Sequence, residues 1–140
     1  MTARLLLLDT HIWIWAINGE VSRLSKAGLE AIEAAEAGGQ IGVSAISVWE
    51  VGMLESKGRV QFGQVCLDWV REALSAQGVR LLPLTPEIAI ESSRLPGDLH
   101  GDPADRILAA TSRILRATLV TQDRKLIEYG AQSFISVIQG

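Results

Sequence analysis

Histidine and cysteine are nearly missing from this chain: two of the first and one of the second in 140 residues. No pair of them has zinc-ligand spacing, so a zinc centre is disfavoured. A single cysteine, Cys66, excludes an internal disulfide framework and points to a reducing, cytoplasmic setting. Its apolar neighbours Val65 and Leu67 mark it as a buried structural thiol rather than a nucleophile. Basic charge is also short. A net charge of −3 gives no footprint for tight nonspecific nucleic-acid binding. That argues against a protein that coats DNA, yet not against a nuclease that grips phosphate through metal ions. No long apolar run exists either. Leu5–Leu8 is too short for a signal segment or a membrane span, so no membrane association is expected. There is no glycine-rich phosphate loop and no Ser/His/Asp arrangement. Without linker, repeat or low-complexity tract, residues 1–140 read as one domain.

Apolar residues are plentiful. A hydrophobic content of 48% against 21% charged residues fits a globule with a real core. Four tryptophans in so small a chain also predict an apolar patch left uncovered, hence a symmetric dimer. The helices after the second or third strand are the candidate faces.

The all-apolar run Leu5–Leu8 fits a strand buried on both faces, as in a parallel sheet covered by helices. Ile12, Trp13 and Trp15 suggest a short apolar helix, with the tryptophans as packing. A clearer helix runs from Leu24–Lys26 through Ala35 to the stop at Gly38–Gly39. Residues 41–45 read as a second strand. Ser47 is placed to cap the next helix, with Glu50 in capping-box spacing. Residues 65–76 form an amphipathic helix with Val65, Trp69, Val70 and Leu74 on one face. Val79–Leu84 is a third apolar strand, followed by a short helix over Glu87–Arg94. Asp102 is the expected cap of a helix from Pro103 to about Leu115. Thr118–Thr121 is a fourth strand, Arg124–Tyr129 a short helix and Phe134–Ile138 a last strand. Strands alternating with helices imply an α/β fold: a three-layer α/β/α sandwich around a mostly parallel sheet of about five short strands.

The acids then stand out by position. Asp9 follows the first strand and Asp123 the fourth, at the carboxyl edge where such sheets bind ligands. Glu50 and Asp105 lie at or near helix N-termini that face the same edge. Asp-x-x-Asp at a helix start is also ordinary capping chemistry, and only convergence with the other acids makes it more. Four carboxylates brought together would repel strongly unless a cation neutralised them. Oxygen-only ligands select Mg²⁺, with Mn²⁺ as substitute. A carboxylate-bound Mg²⁺ activates water and steadies a leaving oxygen, so phosphodiester hydrolysis is the reaction class.

These residues carry a family resemblance. Leu7–Leu8–Asp9–Thr10, Val48–Trp49–Glu50–Val51, the run from Asp102 to Thr111 and Leu119–Val120–Thr121–Gln122–Asp123 resemble, in order, the four motifs of PIN-domain ribonucleases. More narrowly they resemble VapC-type toxins of bacterial toxin–antitoxin pairs. The resemblance implies a Mg²⁺-dependent endoribonuclease that acts on RNA, pairs as a homodimer and is held in check by a cognate antitoxin. It carries the catalytic and metal-binding quartet onto Asp9, Glu50, Asp105 and Asp123. Asp102 is a cap with some contribution to the metal site. Thr10 either caps the first helix or touches a water on the metal. His100 is left out of the site as a solvated loop residue.

Two other classes compete. An Asp at the end of the first strand also suits an aspartyl-phosphate phosphatase or a phosphoacceptor domain. Such phosphatases want a second Asp two residues on, where His11 stands, and a lysine near a later strand, where only Lys125 is at hand. The third reading is a catalytically inactive PIN module that only binds a partner; the full set of four acids speaks against it.

Overall fold

The chain turns from strand to helix with almost no connecting loop, and this brings its acids to one edge. The computed structural model describes residues 4–99 and 101–140; His100 lies outside them. Strand β1 spans Leu6–Leu8, β2 Ile41–Ser44, β3 Val79–Leu82, β4 Thr118–Thr121 and β5 Ser136–Gln139. Helices α1 (Thr10–Ile17) and α2 (Lys26–Ala37) separate β1 from β2, with a 3₁₀ turn at Val21–Arg23 between them. Helices α3 (Ala45–Ser56) and α4 (Cys66–Leu74) lie between β2 and β3. Helices α5 (Pro86–Ser93) and α6 (Pro103–Leu115) lead to β4, and α7 (Arg124–Ala131) leads to β5. None of the helices among the described residues is long and apolar enough to cross a membrane.

All five strands pair in parallel, in the order β3-β2-β1-β4-β5. Leu6 stands opposite Ile41 on one side and Thr118 on the other. The strand order reverses between β1 and β4, so the crevice expected of such a sheet opens at their carboxyl ends. The three-layer α/β/α expectation therefore holds. Alternation along the strands assigns the two cores. Leu6, Leu8, Val43 and Val120 face α1, α2 and α4, with Trp13, Ile32, Trp69 and Val70 filling that layer. Leu7, Leu82 and Leu119 face α6 and α7, against Leu108, Ala109, Leu126 and Tyr129. Both faces of β1 are covered, which is why its sequence is an unbroken apolar run.

Several local expectations need correction. The third strand ends at Leu82 rather than Leu84, because Pro83 offers no N–H to a ladder. As an edge strand it leaves Arg80 and Leu81 exposed. Val65 is 67% exposed and lies outside the helix it was expected to begin; Ala73 occupies the buried face instead. Cys66 is only half-buried, and its neighbours Val65 and Leu67 face solvent, so it is not a core thiol. Of the tryptophans, Trp13 and Trp69 are core, whereas Trp49 is 59% exposed.

The loop from α5 to α6 is fastened at several points. Arg106 donates to the Ser92 carbonyl at 2.9 Å and to the Leu99 carbonyl. The Tyr129 hydroxyl donates to the Pro96 carbonyl. Gly97 adopts a φ of +69°, and a Cβ there would meet the Phe134 ring at 2.3 Å, so the turn tolerates no side chain. This loop delivers Asp102 and Asp105 to the sheet edge.

Candidate active site

Asp9 leaves β1 and immediately caps α1. Its Oδ1 accepts from the Thr10 backbone N–H at 2.7 Å. Its Oδ2 accepts from the Thr121 hydroxyl at 2.6 Å, which ties β1 to the end of β4. The Thr121 Oγ1 in turn accepts from the Asp123 backbone N–H at 3.0 Å. Asp123 caps α7, its Oδ1 accepting from the backbone of Lys125 at 2.8 Å and of Leu126 at 3.3 Å. One oxygen of Asp123 thus serves the helix and the other remains for the cleft.

Glu50 arrives by a different route from the one its spacing suggested. Helix α3 starts at Ala45 and is capped by Ser44, whose Oγ accepts from Ile46 N at 3.1 Å. The strand runs into the helix with no loop, so Ser47 is an interior helical residue and forms no capping box. Instead Ser47 is fully buried, 2.9 Å from the Thr10 hydroxyl. Glu50 sits one turn further on, where its Oε1 accepts from that hydroxyl at 2.6 Å. Thr10 therefore orients Glu50, while Asp9 does the capping that Thr10 was one candidate for. Asp102 is the cap of α6, accepting from Ala104 N at 2.8 Å. Asp105 lies in the first turn of α6 without serving as its cap.

The four acids expected to converge, Asp9, Glu50, Asp105 and Asp123, line one cavity of about 460 Å³ together with Asp102. Thr10, Trp15 and Gln122 complete part of its wall, and His11 is the one basic side chain among the lining residues described. The electrostatics follow from that imbalance. Asp105 is pushed up to about 7, first by burial and then by Asp123, Asp9, Asp102 and Glu50. Burial also raises Asp9 against the pull of its bonds from Thr121 and Thr10 and the nearby His11. Glu50 is raised by burial and by Asp9 and Asp102, with the Thr10 bond opposing. Among the described residues five acids line this space and no lysine or arginine does.

Such a set fits a hard divalent cation. All donors are oxygens, the charge is unbalanced, and two carboxylates are already pinned from behind by threonines. Among the described residues no three acids close into a finished ligand cage. The open cleft instead suits a divalent cation that keeps part of its water. The residues that sequence reasoning missed are those behind the acids: Thr121 and Ser47. Thr121, two residues before Asp123 at a strand end, had a readable signal in the Thr-x-Asp turn pattern. Ser47 had a contrary one, since its capping-box spacing pointed elsewhere.

Comparison with known proteins agrees with this geometry. Residues 6–132 match the PIN domain family. The chain is 38% identical over 120 residues to Ribonuclease VapC22 of Mycobacterium tuberculosis, covering 86% of this chain and 88% of that protein. Its fold resembles a chain of VapBC2 from Rickettsia felis bound to a DNA fragment from its promoter. There the TM-score is 0.67 at 17% identity, over 96% of this chain and 97% of the other. It equally resembles a chain of DNA-bound VapBC from Salmonella typhimurium, with a TM-score of 0.68 at 17% identity over the same shares. At that identity the two structures speak for the fold; the family match and the Mycobacterium relative speak for descent. Strand order, the acids at the switch point and the match over residues 6–132 converge on one statement: this chain belongs to the PIN domain family.

Proposed function

We propose that this chain is a divalent-metal-dependent endoribonuclease, a single catalytic domain over residues 1–140 and the toxin half of a toxin–antitoxin pair. The observation that carries the catalytic reading is the uncompensated carboxylate cleft, with Asp105 raised to about 7 first by burial and then by four neighbouring acids. A purely structural cluster would be expected to include its own cations. The relative named as a ribonuclease supports RNA as substrate. The VapBC complexes of similar fold support a protein partner.

Asp9, Glu50, Asp105 and Asp123 would hold the cation, Mg²⁺ or Mn²⁺. When bound, the cation would supply charge neutralisation for the scissile phosphate, a lowered pKa for an attacking water and support for the leaving oxygen. The chain's own residues do the rest. Thr121 and the Thr10 N–H each take one oxygen of Asp9, which fixes the plane of that carboxylate before any ligand arrives. Thr10 holds Glu50 by one oxygen and leaves the other free. The cap bonds of Asp123 do the same for the β4 side. Asp105 is held at about 7 by burial and its acidic neighbours, so a cation in the cleft would favour its charged form. Asp102 adds negative charge at the rim while capping α6.

The exposed Trp49 on α3, with Leu84 and Ile90 around α5, supports a homodimer through these helices. An antitoxin would be recognised by the same acidic cleft, into which an arginine side chain fits electrostatically. The test is incubation of purified protein with total RNA under Mg²⁺, Mn²⁺ or excess chelator. Cleavage with either ion and none in chelator is the expected result. Full cleavage in chelator would end the metal mechanism, and growth arrest unrelieved by the co-expressed antitoxin would end the toxin reading.

A further inference from the structure

Beside the acidic cleft lies a second cavity of about 450 Å³ with the opposite chemistry. His11 and Trp15 line both cavities, so the two are contiguous across one turn of α1. Beyond that shared wall stand Arg23, Arg59, Gln61 and Phe62. One acid, Glu20, also lines it, and its contact with Arg23 is a loose 3.7 Å between exposed groups. Among the described residues no carboxylate pairs with Arg59. A chain with no general basic excess has thus set two arginines and aromatic faces next to its carboxylates.

The walls are fixed to rigid parts. The Arg23 guanidinium lies 5.5 Å from the centre of the Trp15 ring, over its face. The Arg23 carbonyl accepts from Gln122 Nε2 at 2.7 Å, and Gln122 lines the acidic cleft. Phe62 stacks on Trp69 at 4.3 Å and 21°, and Trp69 Nε1 donates to Asn18 at 2.9 Å. The loop after α3 is therefore anchored to the core where it carries Phe62 and Arg59.

We propose that this second cavity is the subsite for the nucleotide flanking the scissile phosphate, with Arg59 and Arg23 on its phosphate and Trp15 or Phe62 against its unpaired base. The inference rests on the ribonuclease reading. Guanidinium groups recognise phosphate, and aromatic faces accept a splayed base of any identity. A base held in this way must be unstacked, so the subsite selects single-stranded RNA over duplex. Two separate functions are thereby placed side by side: acids for the cation at the bond to be cut, and arginines for the neighbouring phosphate.

The test is fluorescence anisotropy of a labelled single-stranded RNA of about twelve nucleotides and of its duplex. Full-length protein is used with Ca²⁺, a hard cation chosen to limit turnover. Arg59→Ala and Arg23→Ala are each expected to weaken single-strand binding about fivefold or more, and to flatten the salt dependence by about one phosphate contact. Arg80→Ala, at the far edge of the sheet, should bind as wild type does. Arg59 and Arg23 are surface side chains, so folding is retained, and circular dichroism confirms it. Single-strand affinity of the double Arg23/Arg59 variant within about twofold of wild type overturns the subsite. So does equal binding of duplex, or loss of antitoxin binding with RNA binding unchanged, which would assign the cavity to the protein partner. If wild type cleaves RNA while these variants behave as wild type, only the subsite fails. If wild type neither binds nor cleaves RNA, the ribonuclease reading fails with it.

Discussion

Replacing Asp105 by Asn separates a helix-start acid from a member of a repelling cluster, because the two roles predict opposite signs of stability change. As a first-turn acid on α6, Asp105 would favour the helix dipole by about 0.3–1 kcal/mol, lost in Asn. As a cluster member it is held at about 7 instead of 3.8, so charging it above neutral pH costs the fold free energy. At about 1.36 kcal/mol per pH unit the upper bound is about 4 kcal/mol. The side chain is half-buried, and solvent screening brings the expected gain down to about 1–2 kcal/mol. Net of the dipole contribution, Asp105→Asn should melt a few degrees higher than wild type in chelator at pH 8, at about 3–5 °C per kcal/mol for a domain of this size. The same preparation should lose cleavage by orders of magnitude under Mg²⁺, since each lost 1.4 kcal/mol of transition-state stabilisation is about tenfold in rate. A lower melting temperature with cleavage within about threefold of wild type would refute the cluster and leave helix-start chemistry as the whole explanation.

Asp105 binds its proton more tightly in the native than in the unfolded state, so its charging removes stability as pH rises from about 4 towards 7 and none is lost beyond. Added Mg²⁺ should therefore raise the melting temperature more at pH 8 than at pH 5.5; equal shifts would argue against binding at this cleft. Thr121→Val removes the donor to Asp9 Oδ2 and is expected to cut cleavage at least about tenfold while costing about 1–3 kcal/mol of stability. Unchanged cleavage would release Thr121 from any positioning role. Trp49→Glu should convert a dimer into a monomer by light scattering, and a wild type that is monomeric at all concentrations would remove the dimer altogether.

The periodic and punctuated parts of the chain were legible. Helix α6 begins and ends where Asp102–Pro103 and Leu115 place it, and β4 coincides with Thr118–Thr121. The parallel sheet followed from apolar runs such as Leu6–Leu8, whose burial on both faces leaves no alternation to read. What failed was local chemistry with two valid outcomes. Ser44 and Ser47 both satisfy the requirements of a helix cap, and only the direct β2-to-α3 turn decides for Ser44. Val65 fits the period of α4 but falls before its first turn, where the chain is still in solvent. The acids were legible because strand ends of a parallel sheet meet at one edge. The Ser47–Thr10 and Thr121–Asp9 bonds were not, since each joins residues more than thirty positions apart in sequence.

Whether these carboxylates hold a cation is tested most directly by calorimetric titration of Mn²⁺ into the wild type and into Asp9→Asn, Glu50→Gln, Asp105→Asn and Asp123→Asn. The account predicts one saturable site in the wild type, tenfold or more weaker in the variants by analogy with about 10–100-fold effects at other metal centres. It also predicts proton release on binding at pH 7 that disappears in Asp105→Asn, because that carboxyl is held at about 7 in the ion-free cleft. Absence of saturable Mn²⁺ binding up to about 10 mM, or binding that all four variants leave unchanged, would contradict it.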